Sequence, residues 1–278
     1  MSYTCFDVSV SDKIAHIQLK RPEALNSMNR DFWQELPEIV NTLDDTGEAR
    51  AIVLSSTGKH FTAGMDLSVF TSGNDDAKDA DPARRRANQR RDLLRLQETF
   101  NCLDRARIPV LAATQGGCIG GGVDMISACD MRYSTEDAFF CIQEINIGMT
   151  ADVGTFPRLP HLIPQGLVRE LAYTGRRLTA QEAVDVGLVN RLYSDHDALL
   201  QGVFEIASEI AARNPLAIWG SKEMINYARD HSIADGLDYI ATWQSGMHQP
   251  KDMAEAFAAK SEKRDPEFAD LLPLKKKL

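Results

Sequence analysis

The 278-residue chain is predicted to be an α/β protein with a helical C-terminal region, and three observations carry the prediction. Short apolar runs of strand character alternate with helical periodicities over the first two hundred residues. A strand, a glycine loop and a helix start occur twice, at residues 50–66 and again at 108–129. From about residue 197 onward the pattern is almost wholly helical. Residues 1–200 are therefore read as a mixed spiral core, and residues 201–278 as a helical appendage suited to packing on that core or on another subunit.

Taken in order, residues 6–20 alternate as two strands, with Ser11-Asp12 as the hairpin turn. Ser27 or Asn29 is placed to cap a helix through DFWQELPEIVNTLDD, in which Phe32, Leu36, Ile39, Val40 and Leu43 recur at helical spacing. Pro37 is a local objection to its regularity. Arg50 leads into AIVLSS, a short buried strand, and the loop from Gly58 to Asp66 ends near another helix start. Residues 71–83 are polar and turn-rich, as in a mobile surface loop. The helix after it carries Arg84, Arg85, Arg86, Arg90, Arg91 and Arg95, a run read as a solvated face in preference to a phosphate-binding patch. Ile108 to Ala113 is a buried strand whose proline, Pro109, stands early, where a missing N–H does least harm. Gly120, Gly121 and Gly122 then turn the chain into the helix start of VDMISAC. Further on, LTAQEAVDVGLVNRLY reads as helix, glycine stop and strand.

The composition is that of an ordinary globular protein, 44% hydrophobic and 26% charged. A net charge of −9 disfavours nucleic acid or an anionic membrane as partner. The N-terminus carries neither signal-peptide nor transit-peptide character, and no apolar run approaches the roughly 20 residues that span a bilayer. The terminal Lys-Lys-Lys-Leu differs from the Ser-Lys-Leu peroxisomal address, so a cytoplasmic location is expected. Cys5, Cys102, Cys118, Cys129 and Cys141 show no CxxC spacing and read as small core residues; no metal site is indicated.

The chemistry is concentrated in residues 116–154. Asp124, Glu144 and Asp152 stand there among glycines and apolar residues, where an ionised, unpaired carboxylate costs several kcal/mol if buried. The glycine bend feeding a helix start presents unpaired N–H groups able to hold an oxyanion. Taken singly, each acid has a plainer reading: Asp124 as a partner of the helix dipole, Glu144 as an exposed strand end, Asp152 as an N-cap or turn residue. Nucleotide-binding GxGxxG, phosphate-loop and GxSxG patterns are missing from GGCIGGG and its surroundings. Paired carboxylates also serve glycosidases, but aromatic platforms are scarce here. Acid and base work on an acyl group beside an oxyanion site fits better.

HFTAGMDL at 60–67 and QGGCIGGGVDMISACDMRY at 115–133, with RPEALNSMN upstream and AVDVGLVNRL downstream, resemble the enoyl-CoA hydratase/isomerase, or crotonase, superfamily. The likeness runs from about residue 6 to the EKRDPEF segment. It implies a crotonase-like spiral of strand-strand-helix units with a helical C-terminal oligomerisation region, a homotrimer or homohexamer, and an acyl-CoA thioester substrate. No cofactor is implied, since coenzyme A is part of the substrate. By position, the N–H groups of Met65 and Gly121 would form the oxyanion hole. Ala63, Gly64 and Asp66 would lie near the CoA adenine, with Glu23, Ala24 and Leu25 opposite, and Lys263 would reach a CoA phosphate from a neighbouring subunit.

Two departures from the hydratase pattern, Asp at 124 and Asp rather than Gly at 152, make the chain resemble the dienoyl-CoA isomerases, which shift 3,5-dienes to 2,4-dienes. The resemblance then assigns removal of the C2 proton to Asp152 and delivery at C6 to Glu144, with Asp124 completing the pocket, as a step in fatty acid β-oxidation. The rivals are a 2-enoyl-CoA hydratase, with Asp124 and Glu144 positioning water, and a non-catalytic acyl-CoA binder. Retention of three carboxylates disfavours the binder, and the acidic net charge disfavours the RNA binding known in the superfamily.

Overall fold

The computed structural model describes residues 3–66, 68–69 and 81–274. The chain opens with an antiparallel hairpin, β1 (Phe6–Ser11) and β2 (Ile14–Leu19). Its turn is Asp12-Lys13, both at positive φ, one residue later than expected. That pairing matches the twist of a two-residue hairpin, which needs left-handed backbone at both central positions.

A 3-10 turn (Pro22–Ala24) precedes α1 (Arg30–Thr46). Asn29 caps α1, its Oδ1 accepting from the Phe32 N–H at 3.0 Å, while Ser27 is engaged elsewhere. The helix tolerates Pro37 and buries Phe32, Trp33, Leu36, Ile39, Val40 and Leu43, each contributing roughly 1.5–3 kcal/mol on full burial. β3 (Ala51–Ser56) is buried at every position. The expected loop at 71–83 lies outside the described residues up to residue 80. α2 (Pro82–Arg105) follows, its six expected arginines all exposed and only Thr99, Phe100, Cys102 and Leu103 buried near its end.

β4 (Val110–Thr114), β5 (Gly117–Ile119) and α3 (Gly121–Ser127) come next. After β6 (Met131–Thr135) and β7 (Phe139–Cys141) there is a 3-10 turn (Glu144–Ile147). α4 (Thr155–Arg158), α5 (Gln165–Thr174), β8 (Leu178–Thr179) and α6 (Ala180–Asp185) lead to β9 (Arg191–Tyr193). Thr179 and Glu182 close a capping box on α6. The remainder is α7 (His196–Ala211), α8 (Pro215–Tyr227), α9 (Ile233–Met247) and α10 (Pro250–Glu262).

Six strands form one sheet in the order β1-β2-β3-β4-β6-β9, parallel after the first pair, and β5-β7-β8 form a small second sheet. A central parallel strand must be apolar on both faces, and β3 shows how this is met. Ile52 and Leu54 pack on the side of α1 and α2, whereas Ala51 and Val53 pack against Leu199, Val203, Ala207 and Ala211 of α7.

α7 therefore crosses the boundary expected at residue 200, and its apolar stripe at spacings of four covers one face of the main sheet. The layer that belongs to the core ends at Ala211. α8 is tied back by the buried Lys222, whose ammonium donates to Leu103 O (2.9 Å), Ile108 O (3.2 Å) and Asp130 Oδ2 (2.8 Å). From Arg264 to Leu274 the chain is not helical, contrary to expectation; Asp270 pairs with Lys13 and Arg50 at 2.7 and 2.8 Å. The five cysteines are buried core residues, as expected. Among the described residues no helix is long and apolar enough to cross a membrane.

Candidate active site

Two backbone crossings build the floor of the site. The segment after β3 touches Met28 on one side and Cys118 of β5 on the other, through single bridges Met28–Met65 and Thr62–Cys118. The Met28 N–H donates to Gly64 O at 2.8 Å and the Asp66 N–H to Met28 O at 3.1 Å. That register leaves the intervening Met65 N–H outside the ladder. Gly121 is the first residue of α3, so its N–H has no carbonyl one turn earlier in the helix. Both residues border a cleft of about 680 Å³, and among the described residues neither N–H has an acceptor.

Glycine is required at two of these positions. Gly120 stands at φ 53°, ψ −119°, a region costly for any residue with a Cβ. Gly64 stands at φ 86°, and a Cβ on it would lie 2.7 Å from the Ile119 carbonyl oxygen. The two segments approach so closely that this Cβ would also sit 3.5 Å from the Gly121 nitrogen. Two N–H donors on rigid, abutting backbone suit an anion that develops on a carbonyl oxygen.

Asp124, Glu144 and Asp152 are brought to this floor from three elements, and they differ in environment. Asp124, in the first turn of α3, is fully buried and does not border the cleft. Its Oδ1 accepts from the Thr155 N–H at 2.6 Å, and its Oδ2 has no partner among the described residues. Burial pushes its carboxyl up to about 6, against the hydrogen bonding from Thr155.

Glu144 opens the 3-10 turn and borders the cleft, its Oε1 against Gly120 at 3.2 Å from where a Cβ would stand. Its Oε2 is buried without a partner among the described residues. Burial, then the charge of Asp124, raises Glu144 to about 7. Asp152 stands exposed at the cleft wall, and crowding by the surrounding protein raises it above the ordinary aspartate range. Asp152 is aimed by its backbone, which is held from behind: Gln97 Nε2 of α2 donates to the Asp152 carbonyl at 2.7 Å. Among the described residues no group of three His, Cys, Asp or Glu could hold a metal ion.

Ala63, Gly64 and Asp66 line the cleft. Asp66 accepts from Ser27 Oγ and the Ser68 N–H, both at 2.9 Å, and hydrogen bonding from Ser68 lowers its pKa. Glu23, Ala24 and Leu25 form the turn beside that wall, where Leu25 O accepts from the Ala63 N–H at 2.9 Å. They do not border the cleft themselves. Lys263 is exposed at the C-cap of α10, at φ 55°, away from the cleft lining of its own chain.

Sequence reasoning missed Ser27, Gln97 and Arg177. Arg177 borders the cleft with its guanidinium 4.0 Å over the Phe139 ring, a stacking no local pattern announces.

The family model described as enoyl-CoA hydratase/isomerase matches residues 9–271. The mouse protein named Delta(3,5)-Delta(2,4)-dienoyl-CoA isomerase, mitochondrial, is 45% identical over 95% of this chain and 81% of its own length. The Arabidopsis thaliana protein named as the peroxisomal form of that isomerase is 39% identical over 95% of both chains. A putative enoyl-CoA hydratase from Thermobifida fusca, solved in complex with acetoacetyl-CoA, superposes with a TM-score of 0.78 at 28% identity. The match covers 87% of this chain and 94% of that one.

These relatives overturn the expected cytoplasmic location, since they are mitochondrial in mouse and peroxisomal in Arabidopsis thaliana. That expectation rested on missing targeting signals, and a missing signal has no physical content of its own. The spiral of strands and helices, the glycine bend and the matched residues agree: the chain belongs to the enoyl-CoA hydratase/isomerase family.

Proposed function

We propose that this protein is an isomerase that converts 3,5-dienoyl-CoA to 2,4-dienoyl-CoA in fatty acid β-oxidation. The observation that carries the reading is the pairing, in one cleft, of two carboxylates of different environment with two free backbone donors. Relatives named as this isomerase, 39–45% identical over 95% of the chain, support it.

A thioester acidifies its C2 proton because the charge of the resulting enolate falls on oxygen. The N–H groups of Met65 and Gly121 stabilise that oxygen, each by about 3–4 kcal/mol in the transition state. Asp152, at the exposed wall of the cleft, removes the C2 proton. Glu144, raised to about 7 and therefore substantially protonated at neutral pH, delivers a proton at C6, and the double bonds move one carbon toward the thioester. One carboxylate cannot serve both ends of a planar five-carbon span, which is why the reaction needs two.

No cofactor takes part; coenzyme A belongs to the substrate, held by Ala63, Gly64 and Asp66 with the turn of Glu23, Ala24 and Leu25 directly beside them. Lys263 reaches a CoA phosphate from a neighbouring subunit in a homotrimer or homohexamer. Ile233, Leu237 and Phe257 on α9 and α10 are 85%, 64% and 65% exposed, and apolar patches of this kind support docking between copies through the region after Ala211.

The test is incubation of purified protein with a 3,5-dienoyl-CoA and, separately, a 2-enoyl-CoA. Asp152→Asn keeps the shape and removes the base, so isomerisation should fall by about 10²–10⁴-fold with little change in thioester binding. Normal isomerisation by the variant, or hydration of 2-enoyl-CoA much faster than any diene shift, would replace this reading with the hydratase.

A further inference from the structure

Proton balance exposes a step that Asp152 and Glu144 cannot complete alone. Each turnover breaks the C2–H bond and leaves Asp152 protonated. It also forms the C6–H bond and leaves Glu144 ionised. Neither group is ready for the next substrate until Asp152 has lost a proton and Glu144 has gained one, by way of solvent or by a path inside the protein.

Asp124 stands between the loops that carry them. On one side its Oδ1 holds the Thr155 N–H at 2.6 Å, three residues beyond Asp152. On the other, its own N–H reaches Gly120 O at 3.4 Å, and Gly120 is the residue against which the Glu144 carboxylate rests. Asp124 is fully buried, and the oxygen not held by Thr155 has no partner among the described residues; the same is true of Glu144 Oε2. Two orphaned carboxylate oxygens in one apolar floor are expensive to keep, and a relay gives both a use.

We infer that Asp124 resets the site, accepting on Oδ2 the proton that Asp152 took from C2 and passing it to Glu144 Oε2. The inference rests on the isomerase reading above. In each cycle Asp152 returns to carboxylate, Asp124 gains and loses one proton, and Glu144 is recharged; no outside acid or base is consumed. Glu144 is raised to about 7 and Asp124 to about 6, so the second hop runs toward the tighter proton holder.

Rapid mixing of excess 3,5-dienoyl-CoA with Asp124→Asn is the test, because Asn still accepts from Thr155 but cannot carry a proton. The variant should show a burst of about one product per active site, followed by steady turnover at least about 10²-fold slower than wild type. Wild type should show no burst, and its rate should not rise with buffer concentration.

If first and later turnovers slow equally in the variant, Asp124 acts on the chemical step and the relay is wrong. Steady turnover within about twofold of wild type would mean that solvent resets the site. The buffer measurement needs no variant: a wild-type rate that climbs with buffer concentration overturns the relay by itself. Lack of any wild-type turnover of the diene would sink the isomerase reading and the relay with it, whereas turnover without the variant's burst sinks the relay alone.

Discussion

Asp124→Asn should make the protein more stable at alkaline pH. The wild-type carboxyl rises from an ordinary 3.8 to about 6 because burial penalises its charged form. Roughly two pH units, at about 1.4 kcal/mol each, amount to about 3 kcal/mol of strain on the folded state once the group is ionised. Asn relieves this but weakens the bond from the Thr155 N–H by about 1 kcal/mol, since a charged acceptor becomes neutral. The net gain is about 2 kcal/mol, or about 5 °C in melting temperature for a chain of this size.

The sign follows from linkage. The folded state binds this proton more tightly than the unfolded one, so the penalty is missing below pH about 4, grows as pH rises and is complete above about 6. The assay is the difference in melting temperature between variant and wild type at fixed protein concentration across pH 4.5–8. A variant less stable than wild type at pH 8, or a difference that does not change with pH, would refute the burial argument.

Four further outcomes follow from the site. Gly121→Pro removes one oxyanion donor and distorts the bend, so a folded variant should lose at least about 10²-fold in rate, measured by diene turnover; near-normal turnover would remove Gly121 from the oxyanion hole. The pH dependence of kcat/KM should be bell-shaped, falling toward acid as Asp152 is protonated and toward alkali as Glu144 loses its proton near 7. Because the Asp124 charge helps raise Glu144, the alkaline limb should move to lower pH in Asp124→Asn. Gln97→Leu removes the donor behind the Asp152 carbonyl and should lower kcat by about 10-fold with KM nearly constant, while Gln97→Lys, which keeps a donor, should lose less.

The difference between what was and was not legible in the sequence is one of range. Strands, the α1 face and the glycine bends were readable because periodicity and the need for a missing Cβ are local properties. The hairpin turn fell one residue later because two consecutive left-handed residues, Asp12 and Lys13, carry no Asn-Gly or Gly-Gly signature. The boundary at residue 200 misplaced α7 because Leu199, Val203, Ala207 and Ala211 form the same stripe whether the partner is a sheet or another helix. Gln97 and Arg177 act through partners 55 and 38 residues away along the chain, and no local pattern encodes such contacts.

The three carboxylates could be located from sequence but not ranked. Placing Asp124 beneath the cleft floor, Glu144 within it and Asp152 at its exposed wall takes the crossing of three loops. In the proposed mechanism that ranking is what matters, since graded burial would separate a base, a relay and an acid of one chemical type. A fold keeps a buried charge that weakens it only where something is gained, and the two orphaned oxygens of Asp124 and Glu144 gain a use if the proton passes between them from one turnover to the next.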